Sequence, residues 1–311
     1  MIIHVLPENY SPCGGIKVHY EMCELEREMG INSIISFPSS ERFPSWMERR
    51  NVGRIMNYRE ARELGYIELK KGKDVLVIGW EDKDVLDVEF SSFTRSCYIQ
   101  GDVYWRGFPY YEGKHIFTNS EYVKSKIKKE VPVVTPYINS KIFFPSRKVK
   151  FGKYPHKVLI QGRKGGKEAL QKILSYREEG FYKGRIQFEL VGDMGEKEFG
   201  SRLRDSDIFL SHSFPEGLGL PPLEAMSSKT LVIGFSGGGG SEYMKNGENC
   251  FYTEDGRYEK VTDILDHVLR MSREEIEVVV LNGYKTSQSF NKENTKKQLL
   301  EFLDSVSNGN L

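Results

Sequence analysis

Glu216 and Glu224 stand eight positions apart in the run Glu216-Gly217-Leu218-Gly219-Leu220-Pro221-Pro222-Leu223-Glu224. The glycines interrupt regular structure, and paired prolines suit the first turn of a helix. The pattern predicts a loop feeding a short helix, with Glu216 at the loop mouth and Glu224 in the first helical turn. Such a junction leaves backbone N–H groups and the positive end of a helix dipole facing outward. Upstream, Arg163 follows the strand-like run 158–161 after one glycine, Gly162, and Lys167 lies in the first turn of the next helical stretch. An arginine fork and a lysine point charge beside free N–H groups would hold a diphosphate. Carboxylates are poor partners for phosphate but accept well from adjacent hydroxyls, as on a ribose. A basic pair for a diphosphate and acids for polyols describe a nucleotide-sugar site. Acids are also favoured at helix starts by the dipole alone. The two glutamates in isolation would fit that simpler account, and the glycines and the Arg/Lys loop tip the balance.

The surrounding elements read as strand–loop–helix units. Apolar strands are expected at 2–6, 31–37, 74–80, 96–100, 115–118 and 131–136, then at 158–161, 186–191, 207–211 and 231–235. Helices are expected at 16–29, 121–130, 167–176, 263–271 and 295–306, and 44–73 as a solvated helical surface. Gly14 and Gly15 follow the first strand, where glycines let a backbone approach a bound group; an ordinary strand–helix turn accounts for them equally well. The run 144–155 is polar, Pro/Gly-marked and without periodicity, so it is the expected domain boundary. Two open α/β halves in tandem imply ligands at the C-terminal ends of the strands, where all these loops converge.

Length and composition narrow the field. At 311 residues two domains are expected. A formal net charge of +1 gives no reason to expect a nucleic-acid partner. No apolar run approaches the ~20 residues of a spanning helix, and Met1 leads straight into an apolar strand, so no signal peptide is expected. Cys13, Cys23, Cys97 and Cys250 show no CxxC or zinc-ligand spacing and read as free thiols in a reducing cytoplasm. Asp205-Ser206-Asp207 has a metal-binding DxD spacing, but it leads into a strand from the wrong end, and no metal is expected. The aromatic stretch holding Tyr104, Trp105 and Tyr110 suits stacking on a sugar or a lipid headgroup, and equally packing of a loop on its own domain. Lys124, Lys126, Lys128 and Lys129 could rest on anionic lipid, although a solvated lysine face is the commoner arrangement.

From residue 207 to 252 the sequence closely resembles the retaining GT-B glycosyltransferases of family 4 (glycosyl transferases group 1). PEGLGLPPLEAM matches that family's Glu–seven residues–Glu signature, and GGGGSEYMKNGENCFY matches its following Gly-Gly…Glu segment. Weaker likeness extends through the Gly14-Gly15 loop, Thr118-Asn119-Ser120-Glu121, Tyr137-Ile138-Asn139 and Ser289-Phe290. The resemblance implies two Rossmann-like parallel-sheet domains facing across a cleft, at 1–150 and 151–286, with a C-terminal helix at 287–311 crossing back to the first. It also implies roles for individual residues. Glu216 would contact the donor sugar and Glu224 the ribose, while Arg163 and a lysine, Lys167 or its rival Lys164, would bind the diphosphate. The amides of Leu218 and Gly219 would touch phosphate or sugar, and Gly15 would approach the phosphate. Where many members carry a histidine near the end of the fourth strand, this chain has Gln100, as some deoxysugar transferases do.

The expectation is a retaining, metal-independent glycosyltransferase without cofactor. It would be cytoplasmic, with weak peripheral contact with the inner membrane face through its N-terminal domain. Its partners would be a nucleoside diphosphate sugar and a glycan, lipid-linked or small-molecule acceptor. Rival readings are a catalytically silent GT-B scaffold and a nucleotide-sugar epimerase of the same fold. A nicotinamide dehydrogenase is disfavoured, because neither glycine loop completes GxGxxG with a following acid.

Overall fold

A computed structural model describes residues 1–7, 13–37, 44–47, 52, 55–57, 76–80, 90, 93–101, 115–127, 129–145, 151–152, 154–178 and 180–308. The chain forms two compact units, one of Met1–Pro136 with Lys292–Leu311 and one of Tyr137–Asn291.

The first unit holds a parallel sheet of β1 (Ile2–Val5), β2 (Ser33–Phe37), β3 (Ile55–Asn57), β4 (Leu76–Trp80), β5 (Thr94–Ile99) and β6 (His115–Thr118). Its order is β3-β2-β1-β4-β5-β6, so the strand order reverses between β1 and β4. Helix α1 (Gly14–Glu28) follows β1, and α2 (Glu121–Ile127) follows β6. Buried beneath α1, His4 bonds Glu26 at 2.9 Å through Nε2 and His19 at 3.1 Å through Nδ1. That polar core carries no spacing signal in the sequence.

The final helix α8 (Lys292–Ser307) belongs to this unit, as expected. Phe302 stacks on Phe117 of β6 with centroids 4.1 Å apart. Lys292 and Lys296 reach the Glu28 carboxylate on α1 at 2.8 and 2.9 Å, and the Thr295 hydroxyl donates to the Thr135 carbonyl.

The second unit holds β7 (His156–Gln161), β8 (Ile186–Val191), β9 (Ile208–Ser211), β10 (Leu231–Phe235) and β11 (Phe251–Thr253), all parallel, in the order β11-β10-β9-β7-β8. Alternate residues feed two cores. Val158, Ile160, Ile208, Leu210, Leu231 and Ile233 face one, while Leu159, Phe209 and Val232 face the other. Burial on both faces explains why these strands read as unbroken apolar runs. The helices are α3 (Gly166–Ser175), α4 (Glu196–Asp205), α5 (Leu220–Ser227), α6 (Tyr258–Val268) and α7 (Arg273–Ser287).

Several expectations are corrected. The units part after Pro136, not after 150, because Ile138, Ile142 and Phe143 pack into the second core. They part again after Asn291 rather than 286, since α7 runs on to Ser287 and the Ile138 N–H bonds the Phe290 carbonyl. The expected strand at 131–136 contributes only a bridge between Val133 and Thr118; Pro132 and Pro136 supply no N–H for a ladder. Within the expected helical surface 44–73, Ile55–Asn57 is an edge strand. Helices α4 and α7 and strand β11 were not foreseen. Among the lysines of α2, Lys124 pairs with Glu130 at 2.9 Å and Lys126 lies over the Tyr122 ring. No helix among the described residues is long and apolar enough to cross a membrane.

Asp207 sits at the N-terminal end of β9, as the DxD argument required. Its carboxylate accepts from the backbone N–H groups of Lys157 at 2.8 Å and Phe151 at 3.2 Å. Burial alone would raise its pKa; His156 and those two N–H groups hold it below the ordinary value.

Candidate functional site

In the second unit the strand order reverses between the neighbours β7 and β9. A sheet of this kind opens a crevice at the carboxyl ends of the strands at such a point. Three loops leave that edge: 162–165 after β7, 212–219 after β9, and 236–240 after β10.

Glu216 is held from both sides. Its N–H donates to the Gly237 carbonyl at 2.6 Å, and its carbonyl accepts from the Gly239 N–H at 3.0 Å. The glycines make this approach feasible: a Cβ on Gly239 would lie 2.1 Å from the Gly217 carbonyl oxygen, and one on Gly237 2.7 Å from that of Ser213. Gly237 also donates its N–H to Asp255. On the side chain, Oε1 receives Lys164 Nζ at 2.6 Å and the Ser213 hydroxyl at 2.5 Å. Oε1 is engaged twice and Oε2 has no partner among the described residues, so Oε2 is the oxygen placed to accept from a ligand hydroxyl.

Lys164 reaches Glu216 from a left-handed backbone, φ 49° and ψ 40°, within the short turn Arg163–Gly165. A side chain in that region costs about 1–3 kcal/mol and persists where its surroundings fix it. Arg163 is half-buried, its Nε 3.7 Å from Asp193 Oδ1. Lys167, the second residue of α3, is exposed and has no ion-pair partner among the described residues. The structure therefore brings Lys164, and not Lys167, onto Glu216. The turn ends in the N-terminus of α3, where N–H groups and the dipole favour an anion.

Helix α5 starts at Leu220 with Gly219 as its left-handed cap and prolines in its first turn. Glu224 is thus the fifth helical residue, beyond the first turn where the sequence placed it, and is 6 % exposed. The prolines explain the shift, since they occupy the first-turn positions themselves. The Leu218 side chain is buried in the core, leaving its backbone for the site. Tyr243 donates its hydroxyl to the Gly219 carbonyl at 2.5 Å, tying the loop after β10 to the start of α5. Burial, with Cys250, Glu216, Glu224 and Glu242 adding, pushes its pKa well up, so it stays a donor.

Of the remaining candidates, Gly14 and Gly15 lie in the first unit, opening α1 next to that unit's own strand reversal. There Gln100 donates Nε2–H to the Gly15 carbonyl at 3.2 Å. Tyr104, Trp105 and Tyr110 lie outside the described residues. Ser213, Tyr243 and His212 were missed by sequence reasoning. Tyr243 stands inside the segment singled out for its glycines, whereas Ser213 and His212 offer no signal beyond their nearness to Glu216.

Residues 153–286 match the family described as Glycosyl transferases group 1, which extends the likeness seen at 207–252. No curated protein sequence matches the chain. Among solved structures, a sucrose-phosphate synthase from Thermosynechococcus elongatus superimposes with a TM-score of 0.76 at 14% identity, covering 98% of this chain and 99% of that one. Anabaena HepE in complex with UDP and glucose gives 0.72 at 14% identity, covering 98% and 100%. The pneumococcal O-GlcNAc transferase GtfA with UDP and GlcNAc gives 0.68 at 10%, covering 98% and 99%. The chain has the GT-B fold shared with these structures, two Rossmann-like parallel-sheet units with the last helix belonging to the first.

Proposed function

We propose that the chain is a glycosyltransferase that moves a sugar from a nucleoside diphosphate donor to an acceptor hydroxyl, with retention and without a metal. One observation carries the reading: Glu216 is held by Lys164 and Ser213 through Oε1, with Oε2 free of partners among the described residues, on a loop at the strand-order reversal of a unit matching group 1 glycosyl transferases. Arg163, Lys164 and the N–H groups opening α3 take the diphosphate. Their positive charge stabilises the departing phosphate oxygen, which is where negative charge grows as the glycosidic bond breaks. Glu216 Oε2 accepts from a hydroxyl of the donor sugar, and Glu224 orients the ribose. The acceptor oxygen bonds to the anomeric carbon from the face the diphosphate leaves, and its proton passes to the departing phosphate. Relatives of this fold solved with UDP make UDP-sugars the first donors to test. The acceptor is a glycan, a lipid-linked compound or a small molecule.

The test is calorimetric titration of UDP, GDP and ADP and their glucose conjugates into the wild type and into Glu216→Gln and Arg163→Ala. Micromolar binding of one nucleotide, weakened at least about tenfold by Arg163→Ala, supports the reading. No binding of any of them, or unchanged binding and transfer in both variants, sinks it. Binding with no transfer to any acceptor would favour the silent scaffold.

A further inference from the structure

We infer that His212 is a positioning residue, one that sets the Arg163–Lys164 peptide and through it the cation that meets the diphosphate. The inference rests on the donor reading above.

His212 follows β9 directly, is 5% exposed, and brings Nε2 to 3.0 Å from the Arg163 carbonyl oxygen. A carbonyl only accepts, so Nε2 carries the proton and donates. The other ring nitrogen, Nδ1, is buried without a partner, so among the described residues this is the ring's one hydrogen bond. The bond joins the two loops that flank the strand-order reversal, one after β9 and one after β7.

What it holds is specific. The Arg163 carbonyl belongs to the peptide unit linking Arg163 to Lys164, so its direction fixes ψ of Arg163 and φ of Lys164 together. Lys164 has φ 49°, a value an unbranched L side chain adopts only under constraint. Rotating that peptide would return Lys164 to an ordinary backbone region and carry its ammonium away from Glu216. The turn also closes on the ring: a Cβ on Gly166 would stand 3.1 Å from His212 Nε2 and 1.7 Å from the Gln161 carbonyl oxygen. His212 touches backbone and no reacting atom, so it positions rather than catalyses.

The experiment compares UDP and UMP affinity by calorimetry in the wild type, His212→Phe and His212→Gln, with unfolding midpoints alongside. Phenylalanine keeps the ring volume and removes the donor; glutamine returns an N–H near the place of Nε2. The expected result is a fall of about tenfold in UDP affinity for His212→Phe, with UMP affinity within about twofold and recovery in His212→Gln to within about threefold of wild type. A second arm repeats His212→Phe in the Lys164→Gly background. There the phenylalanine should cost little further UDP affinity, since glycine adopts the turn freely and the ammonium is gone. Equal losses for UDP and UMP, equal losses in the Phe and Gln variants, or additive losses with Lys164→Gly would overturn the inference. Should His212→Phe not fold, the same comparison between His212→Gln and His212→Asn decides, because asparagine is too short to reach the carbonyl. Wild-type protein that binds no UDP refutes the UDP-donor assignment itself; wild-type binding with an unchanged UDP/UMP ratio in His212→Phe refutes only the role of His212.

Discussion

The Lys164 ammonium lies 2.6 Å from Oε1 of Glu216, although Lys164 adopts a left-handed backbone to get there. A cation placed at the expense of local strain marks a position kept for charge rather than for stability. Replacing Lys164 with glycine separates the two. Glycine relieves the left-handed backbone, while the unfolded chain gains freedom and offsets part of that gain. We expect stability unchanged or raised by up to about 1 kcal/mol, with UDP affinity down at least about tenfold. Urea unfolding and calorimetry on one variant check both; a parallel loss of stability and binding would contradict it.

The clamp on Glu216 depends on glycines with no room for a side chain. In Gly239→Ala the new Cβ meets the Gly217 carbonyl at 2.1 Å, backbone against backbone. The second unit should lose about 1–3 kcal/mol or more, and donor affinity should fall with it. Gly247→Ala is the control. Its φ is +77° but nothing lies within 4 Å, so only the backbone cost of about 1 kcal/mol applies and binding should hold.

Asp207 joins the start of β9 to the segment 151–157 through two backbone N–H groups and His156. Its folded pKa is depressed, so its stabilisation is complete above the unfolded value of about 3.9 and is lost as pH falls through the folded value. Asp207→Asn should therefore cost about 1–3 kcal/mol at pH 7. The gap to wild type should narrow once the wild-type carboxyl is protonated too. Denaturant midpoints from pH 7 down to pH 3 test it, and a gap that stays constant or widens would refute it.

Helix α8 is anchored in the first unit by Phe302, fully buried against Phe117. Phe302→Ala should destabilise that unit by about 3–5 kcal/mol. UDP binding by the second unit should persist at temperatures below the first unit's transition. Calorimetric scanning with and without UDP would show it, and a midpoint unchanged from wild type would contradict it.

The sequence by itself determined most strands of the two sheets, though not β3 or β11, because parallel strands covered on both faces read as apolar runs. It also determined the placing of Glu216 on a glycine-broken loop before a proline-started helix, since glycine and proline act through local backbone geometry. Arg163 at a strand end was legible for the same reason. What only the tertiary structure decided is which groups meet. Lys164 rather than Lys167 reaches Glu216, because the turn after β7 takes a left-handed step that local preference opposes. Ser213 and Lys164 share one carboxylate oxygen, Tyr243 ties two loops across 24 residues, and His212 grips a carbonyl 49 residues away. The unit boundary after Pro136 was equally hidden, since Ile138, Ile142 and Phe143 choose their core by packing. Contacts between distant segments depend on the neighbour order of strands, here β10-β9-β7, and hydrophobic periodicity along one strand carries no record of which strand lies beside it.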